Sequence, residues 1–181
     1  MKLKNEKMYK KILSLLNLKP GSKVLDIEYG NGRMLKNMDE KFSPNLYGIS
    51  LSEKTEKKAY RKNQRANKEK RLNLFSGEFS EMPFEDDFFD ACVSINSIYH
   101  WNDVLKTLQE IRRCMKPGSI FYNAAYTKEW LETKSLGKDL KKFEAVELIV
   151  LGRKAGFEKV LVHEIVHRKS FVIACYKGKS D

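Results

Sequence analysis

Cysteine is scarce and badly arranged for chemistry: the three residues Cys92, Cys114 and Cys175 are odd in number and far apart. They offer neither a disulfide framework nor a metal-binding spacing, which fits a reducing cytoplasmic setting. Long apolar runs are missing as well. None approaches the roughly 20 residues needed to span a bilayer, so no membrane association is expected. The basic start MKLKNEKMYKK leads into no apolar core, which argues against an export signal. Internal repeats, low-complexity tracts and linkers rich in Gly, Ser or Pro are also absent. With 181 residues there is room for one domain with a full core and little else.

What the chain has in excess is positive charge, a net +11. Such a balance invites a nucleic-acid partner. The densest run holds Lys54, Lys57, Lys58, Arg61, Lys62, Arg65, Lys68, Lys70 and Arg71. The same run suits a solvated helix face, and it contains a single aromatic residue, Tyr60, for base stacking.

Apolar spacing predicts alternating elements. Met8, Ile12, Leu15 and Leu16 mark a helix over residues 5–17, stopped by Lys19-Pro20-Gly21. A strand over 23–27 is followed by a short helix from Gly32 to about Met38. Residues 45–49 read as a second strand. Ser52 then stands where a cap would open one long charged helix. Residues 72–75 and 89–95 read as strands, and Val104, Leu108, Ile111 and Met115 stripe a helix over 103–115. Lys116-Pro117-Gly118 ends that helix before a strand at 120–125. Residues 130–136 are ambiguous, and 144–154 read as helix. The runs 160–166 and 171–176 lie too close for a crossover and should form a hairpin. The fold class expected is α/β, with a mostly parallel sheet, helices on both faces and an antiparallel C-terminal hairpin. The N-terminal helix occupies 1–18 and the core fold 19–176, within one domain.

The chemistry concentrates in Val24-Leu25-Asp26-Ile27-Glu28-Tyr29-Gly30-Asn31-Gly32. An apolar run carrying an acidic residue gives way to two glycines spaced one apart, the pattern of a strand handing over to a helix where backbone approaches a ligand. A dinucleotide fingerprint would place a third glycine at position 35, which is Leu.

With VLDIEYGNGR, YGISLSEK, GEFSEMPFEDDFFDACVSINSIYHW, EIRRCMKPGSIFY and GFEKV in this order, the chain resembles the class I S-adenosylmethionine-dependent methyltransferases. The likeness runs from about Leu18 to Tyr176 and points to the branch of small ubiquinone/menaquinone-type enzymes, here with a degenerate first cofactor loop. The resemblance implies a seven-stranded Rossmann-like sheet. It also implies S-adenosylmethionine as cofactor, S-adenosylhomocysteine as product and a small-molecule methyl acceptor. Carried onto this sequence, Asp26, Gly30 and Gly32 would line the methionine end of the cofactor. Glu78 and Phe79 would meet the adenine, and Asn96 would lie near the transferring methyl.

Two positions depart from the family pattern. Glu28 replaces the first loop glycine, and Ser50 stands where the family usually has a ribose-binding Asp or Glu. If position 28 needs a positive φ, glutamate costs about 1–2 kcal/mol there. Loss of hydrogen bonds to a carboxylate at position 50 costs roughly 1.5–3 kcal/mol of cofactor affinity. On sequence alone, Glu28→Gly with Ser50→Asp is expected to tighten binding at least about tenfold. The same two residues motivate a rival reading, a fold that has stopped catalysing and serves as a binding or interaction protein. An RNA methyltransferase is a third reading, resting on charge.

Methyl transfer is an in-line displacement that needs alignment, with a base only where the nucleophile carries a proton. His100 is the base candidate, with Tyr99 beside it, because both follow the fourth strand at the edge where open α/β sheets bind ligands. Each also fits a packing role. Residues 126–136, with Trp130, are where such enzymes often cover the substrate. The N-terminal helix around Met8 and Tyr9 could close over the cofactor. No metal is expected. The string His163-Glu164-Ile165-Val166-His167 spells a zinc-protease motif, yet its β-branched context predicts a strand. There the two histidines would lie about 13 Å apart. Oligomeric state leaves no mark in the sequence.

Overall fold

The computed structural model describes residues 5–134 and 140–179. Helix α1 (Glu6–Leu15) precedes strand β1 (Lys23–Ile27), helix α2 (Arg33–Phe42) and strand β2 (Asn45–Ser50). Helices α3 (Glu53–Lys62) and α4 (Gln64–Lys68) lead to β3 (Leu72–Ser76), and β4 (Phe89–Ile95) leads to α5 (Val104–Cys114). Then follow β5 (Met115–Tyr126), α6 (Lys128–Glu132), α7 (Ala145–Lys154), β6 (Lys159–Val166) and β7 (Ser170–Tyr176).

The seven strands form one sheet in the order β3-β2-β1-β4-β5-β7-β6. All pairings are parallel except those of β7, which runs antiparallel to both β5 and β6. This is the expected hairpin, with its second strand slotted inside the first. β1 and β4 are buried along almost their whole length, as strands covered on both faces must be. Chain order reverses between β1 and β4, leaving a crevice beyond their carboxyl ends where sheets of this kind take ligands.

Several boundaries differ from expectation, each for a local reason. The charged helix is two helices, broken at Asn63. That residue is buried, and its Nδ2 donates to Gly32 O at 3.0 Å and Ala59 O at 2.8 Å. Ser52 holds the N-cap position of α3 without a capping side-chain bond, and its carbonyl accepts the Thr55 hydroxyl at 2.7 Å. α2 runs four residues past Met38, to Phe42. β5 starts at Met115, where pairing with Phe89 pulls the end of the expected helix into the sheet. Within the ambiguous stretch 130–136, α6 covers the beginning, while residues 135 and 136 lie outside the described residues, as do residues 1–4 of the N-terminal segment. His163 and Glu164 lie on β6, and His167 lies in the following turn.

Candidate cofactor site at the switch point

At the end of β1 the chain turns through three residues with left-handed backbone, Glu28 (φ +61°), Gly30 (φ +53°) and Gly32 (φ +76°). Position 28 therefore does demand a glycine-like conformation, and the glutamate bears its cost of about 1–2 kcal/mol. Gly32 is required twice over. Besides its φ, a Cβ there would lie 2.6 Å from Asn63 Nδ2 and 2.9 Å from the Ala59 backbone. α2 can thus begin against α3 only if this residue has no side chain.

Asp26 is 3% exposed, and its Oδ2 has no hydrogen-bond partner among the described residues. Burial, reinforced by the charge of Glu28, pushes its carboxyl well above the ordinary range. Nearby, Glu28 Oε1 accepts a hydrogen bond from Ser50 Oγ at 2.9 Å, at the end of β2. Ser50 is fully buried and also accepts from Ser52 N at 3.3 Å, while Thr55 Oγ1, bonded to the Ser52 carbonyl, lies 3.3 Å away. Two unmatched features of the sequence are in contact.

Across the crevice, Asn96 follows β4 with φ +56°. Its side chain ties three elements together. Nδ2 donates to Asn5 Oδ1 at 2.7 Å, and Oδ1 accepts from the Tyr99 hydroxyl at 3.3 Å. The Tyr99 oxygen also accepts from Tyr126 N at 2.5 Å, at the end of β5. Burial pushes the Tyr99 phenol up, so it stays protonated. α1 therefore lies over the site. Glu6 pairs with Arg33 at 2.6 Å, just beyond Gly32, and Arg33 lies 6.0 Å from the Tyr9 ring centre. Among the described residues, Asn5, Glu6 and Arg33 were not singled out from the sequence. Their signal is tertiary, since each acts through a residue at least 27 positions away.

The adenine-side candidates lie further along the same edge. Glu78 is exposed and Phe79 buried, and both line a narrow pocket shared with Leu51, His100, Trp101 and Asp103. Phe79 meets Trp101 edge to face at 6.3 Å. His100, the exposed end of a 3-10 turn over Ile98–His100, belongs to this pocket. It does not join the Asn96–Tyr99 cluster in a hydrogen bond. The loop that delivers Glu78 and Phe79 has no regular structure. It is fixed by Met82 N donating to Glu110 Oε1 at 2.8 Å, by Arg113 on Asp86 at 2.6 Å, and by Phe84 packed on Phe75 and Phe89.

A separate cavity of about 260 Å³ opens between the start of α1, the end of β5 and the β6–β7 turn. Met8, Tyr126, Val166 and Ser170 line it, with Glu6, Lys7 and Lys169 as its charged members. Tyr126 stacks on Trp130 at 4.1 Å, and the Lys169 ammonium lies 5.0 Å from that indole. The stretch expected to cover a substrate thus begins beside this cavity.

Comparison with known proteins bears on the fold and the family. A family model described as a methyltransferase domain matches residues 25–123. The chain is 28% identical over 165 residues to 24-methylenesterol C-methyltransferase 3 of Arabidopsis thaliana, covering 82% of this chain and 45% of that one. It is 28% identical over 161 residues to the uncharacterized methyltransferase YdaC of Bacillus subtilis, covering 88% and 84%. The chain spans less than half the length of the plant relative. Among solved structures, phosphoethanolamine N-methyltransferase 2 of Haemonchus contortus in complex with S-adenosyl-L-methionine superposes with a TM-score of 0.80. That match has 19% identity and covers 95% of this chain and 52% of that one. The [4+2]-cyclase SpnF superposes with a TM-score of 0.84 at 16% identity, covering 97% and 81%. These superpositions show the fold. The matches do not single out the quinone-methyltransferase branch.

Proposed function

Since the chain belongs to the class I S-adenosylmethionine-dependent methyltransferases, we propose that it transfers a methyl group from S-adenosylmethionine to a small-molecule acceptor, releasing S-adenosylhomocysteine. One observation carries the reading: a buried carboxyl, Asp26, presents an unpaired oxygen beside the left-handed loop at the sheet's switch point. A buried polar atom without a partner is costly, and here the missing partner has the character of a cationic or N–H donor. The methionine end of the cofactor carries an ammonium of that kind, so the residues present fit it.

In this reading Asp26 and the loop backbone at Gly30 and Gly32 hold the methionine end, while Glu78 and Phe79 take the adenine. Asn96, braced by Asn5 and Tyr99, stands closest to the acceptor side. When bound, the cofactor supplies an electrophilic sulfonium methyl. The protein's own contribution is to align an acceptor against it and to exclude water. α1 closes one wall of the site, and the 260 Å³ cavity beside Met8 and Tyr126 is the acceptor pocket. Its volume lies just under the usual range for ligand sites and favours a small acceptor.

His100 lines the narrow Glu78–Phe79 pocket, away from the Asn96–Tyr99 cluster, and is not expected to serve as the base. Incubation with methyl-labelled S-adenosylmethionine and a panel of small nucleophiles tests both points. Label should pass to an acceptor, and His100→Ala should slow turnover less than about tenfold. Loss beyond that factor would return the histidine to the base role. A protein that binds the cofactor yet labels nothing would favour the rival reading, a binding protein. SpnF, a cyclase, shares this fold, which therefore does not by itself fix the reaction.

A further inference from the structure

We propose that Glu28 supplies, from the first loop, the carboxylate that grips the ribose hydroxyls of the cofactor, in place of an acid at the end of β2. The inference rests on the S-adenosylmethionine reading above. In nucleotide-binding sheets a ribose hydroxyl is taken by an acidic side chain contributed from beyond the first loop. Here β2 ends in Ser50, a fully buried hydroxyl whose proton is already committed. Its proton goes to Glu28 Oε1 at 2.9 Å, and its oxygen accepts from Ser52 N at 3.3 Å. Ser50 therefore holds something else in position.

That something is the Glu28 carboxylate. β1 and β2 are neighbours in register, Ile27 opposite Ile49, so residue 28 comes level with Ser50 at the same sheet edge. The acidic group is shifted by one strand and has not been lost. Glu28 is half-buried, and among the described residues only Ser50 hydrogen-bonds its carboxylate. One oxygen is oriented by a serine and the other is left to accept, which suits two adjacent hydroxyls of a ribose. The backbone at position 28 keeps the left-handed turn a glycine would make (φ +61°), so the run to Gly30 and Gly32 is undisturbed. Glutamate thus does two tasks, the turn of a glycine and the charge of an acid.

This assignment predicts an inversion of sign between two substitutions. Ser50→Asp in the native background would set a second carboxylate against Glu28 and above Asp26, and should weaken binding. The same change in a Glu28→Gly background returns the acid to β2 and should restore native affinity, in place of the gain of about tenfold expected from the sequence alone. Calorimetric titration with S-adenosylhomocysteine, and with its 2′-deoxy analogue, reads this directly. Glu28→Gln and Glu28→Gly should each lower affinity about ten- to hundredfold. Glu28→Gly, relieved of left-handed strain, should melt no lower than the native chain, which separates lost binding from lost folding. The 2′-deoxy analogue should bind the native protein correspondingly less well, yet lose little further in Glu28→Gln. Equal or tighter binding by Glu28→Gln overturns the assignment, as does additive behaviour of the two sites. A native protein that binds neither compound overturns the cofactor reading itself.

Discussion

Asp26 holds a carboxyl group where water barely reaches it, and the consequence for stability has a definite sign. Its carboxyl is pushed up by burial and by the charge of Glu28. Below the ordinary carboxylate range, at about pH 3 and lower, folded and unfolded chains are both protonated and the group is neutral to folding. As pH rises, the unfolded chain ionises first, so stability falls progressively until the folded-state carboxyl ionises too. Asp26→Asn cannot ionise. It should raise the unfolding temperature at neutral pH, by about 2–4 °C for each kcal/mol relieved. At about pH 3 and below it should leave that temperature almost unchanged, while at neutral pH S-adenosylhomocysteine binding drops. Scanning calorimetry at the two pH values checks this, and an unfolding temperature lowered at neutral pH would contradict it. A stability gain with a binding loss is what a side chain kept for a ligand produces. The pair Glu28 and Ser50 carries the same lesson. Each reads as a defect when taken alone in the sequence, and only their 2.9 Å contact shows that they belong together.

At the scale of elements, α1 is the least obvious part of the site. Its stripe of Met8 and Ile12 marks it as helix and as packed, and both are buried. Nothing in the spacing shows where its first turn points. The structure answers through Asn5 on Asn96 and Glu6 on Arg33. The Glu6–Arg33 pair is half exposed on both sides, so it contributes little. The part-buried amide pair is worth about 1 kcal/mol. Asn5→Ala should therefore lower denaturant stability by about that amount and speed release of S-adenosylhomocysteine. Unchanged release would show that α1 is packing without being a wall of the site. The remaining elements divide by the range of the forces that set them. Strands buried on both faces and helices with clear stripes were legible, because burial follows residue type along the chain. The break at Asn63 was not, because 54–71 is rich in helix-forming residues and the interruption depends on Gly32 O, 31 positions away. The early start of β5 likewise depends on Phe89 across the sheet. The loop carrying Glu78 and Phe79 could be placed but not shaped, since Arg113 and Glu110 on α5 hold it.

For the whole molecule, net charge promised more than the surface delivers. The basic run of α3 and α4 lines a cleft of about 670 Å³, but acids are interleaved with it. Arg65 and Arg71 both reach the buried Asp39, at 3.8 and 2.8 Å, and both pair with Glu69. A surface that neutralises part of its own charge is a poor polyanion track, which sets the RNA reading behind the small-molecule one. No helix of the described residues is long and apolar enough to cross a membrane. What binds at the sheet's switch point, beside Asp26 and Glu28, therefore decides the function. The most direct measurement is calorimetric titration of the native chain with S-adenosylmethionine and S-adenosylhomocysteine. One site is expected, with dissociation constants of about micromolar order, corresponding to roughly −8 kcal/mol. No heat at millimolar ligand would contradict it, and would leave the carboxylates at the end of β1 without a cofactor to explain them.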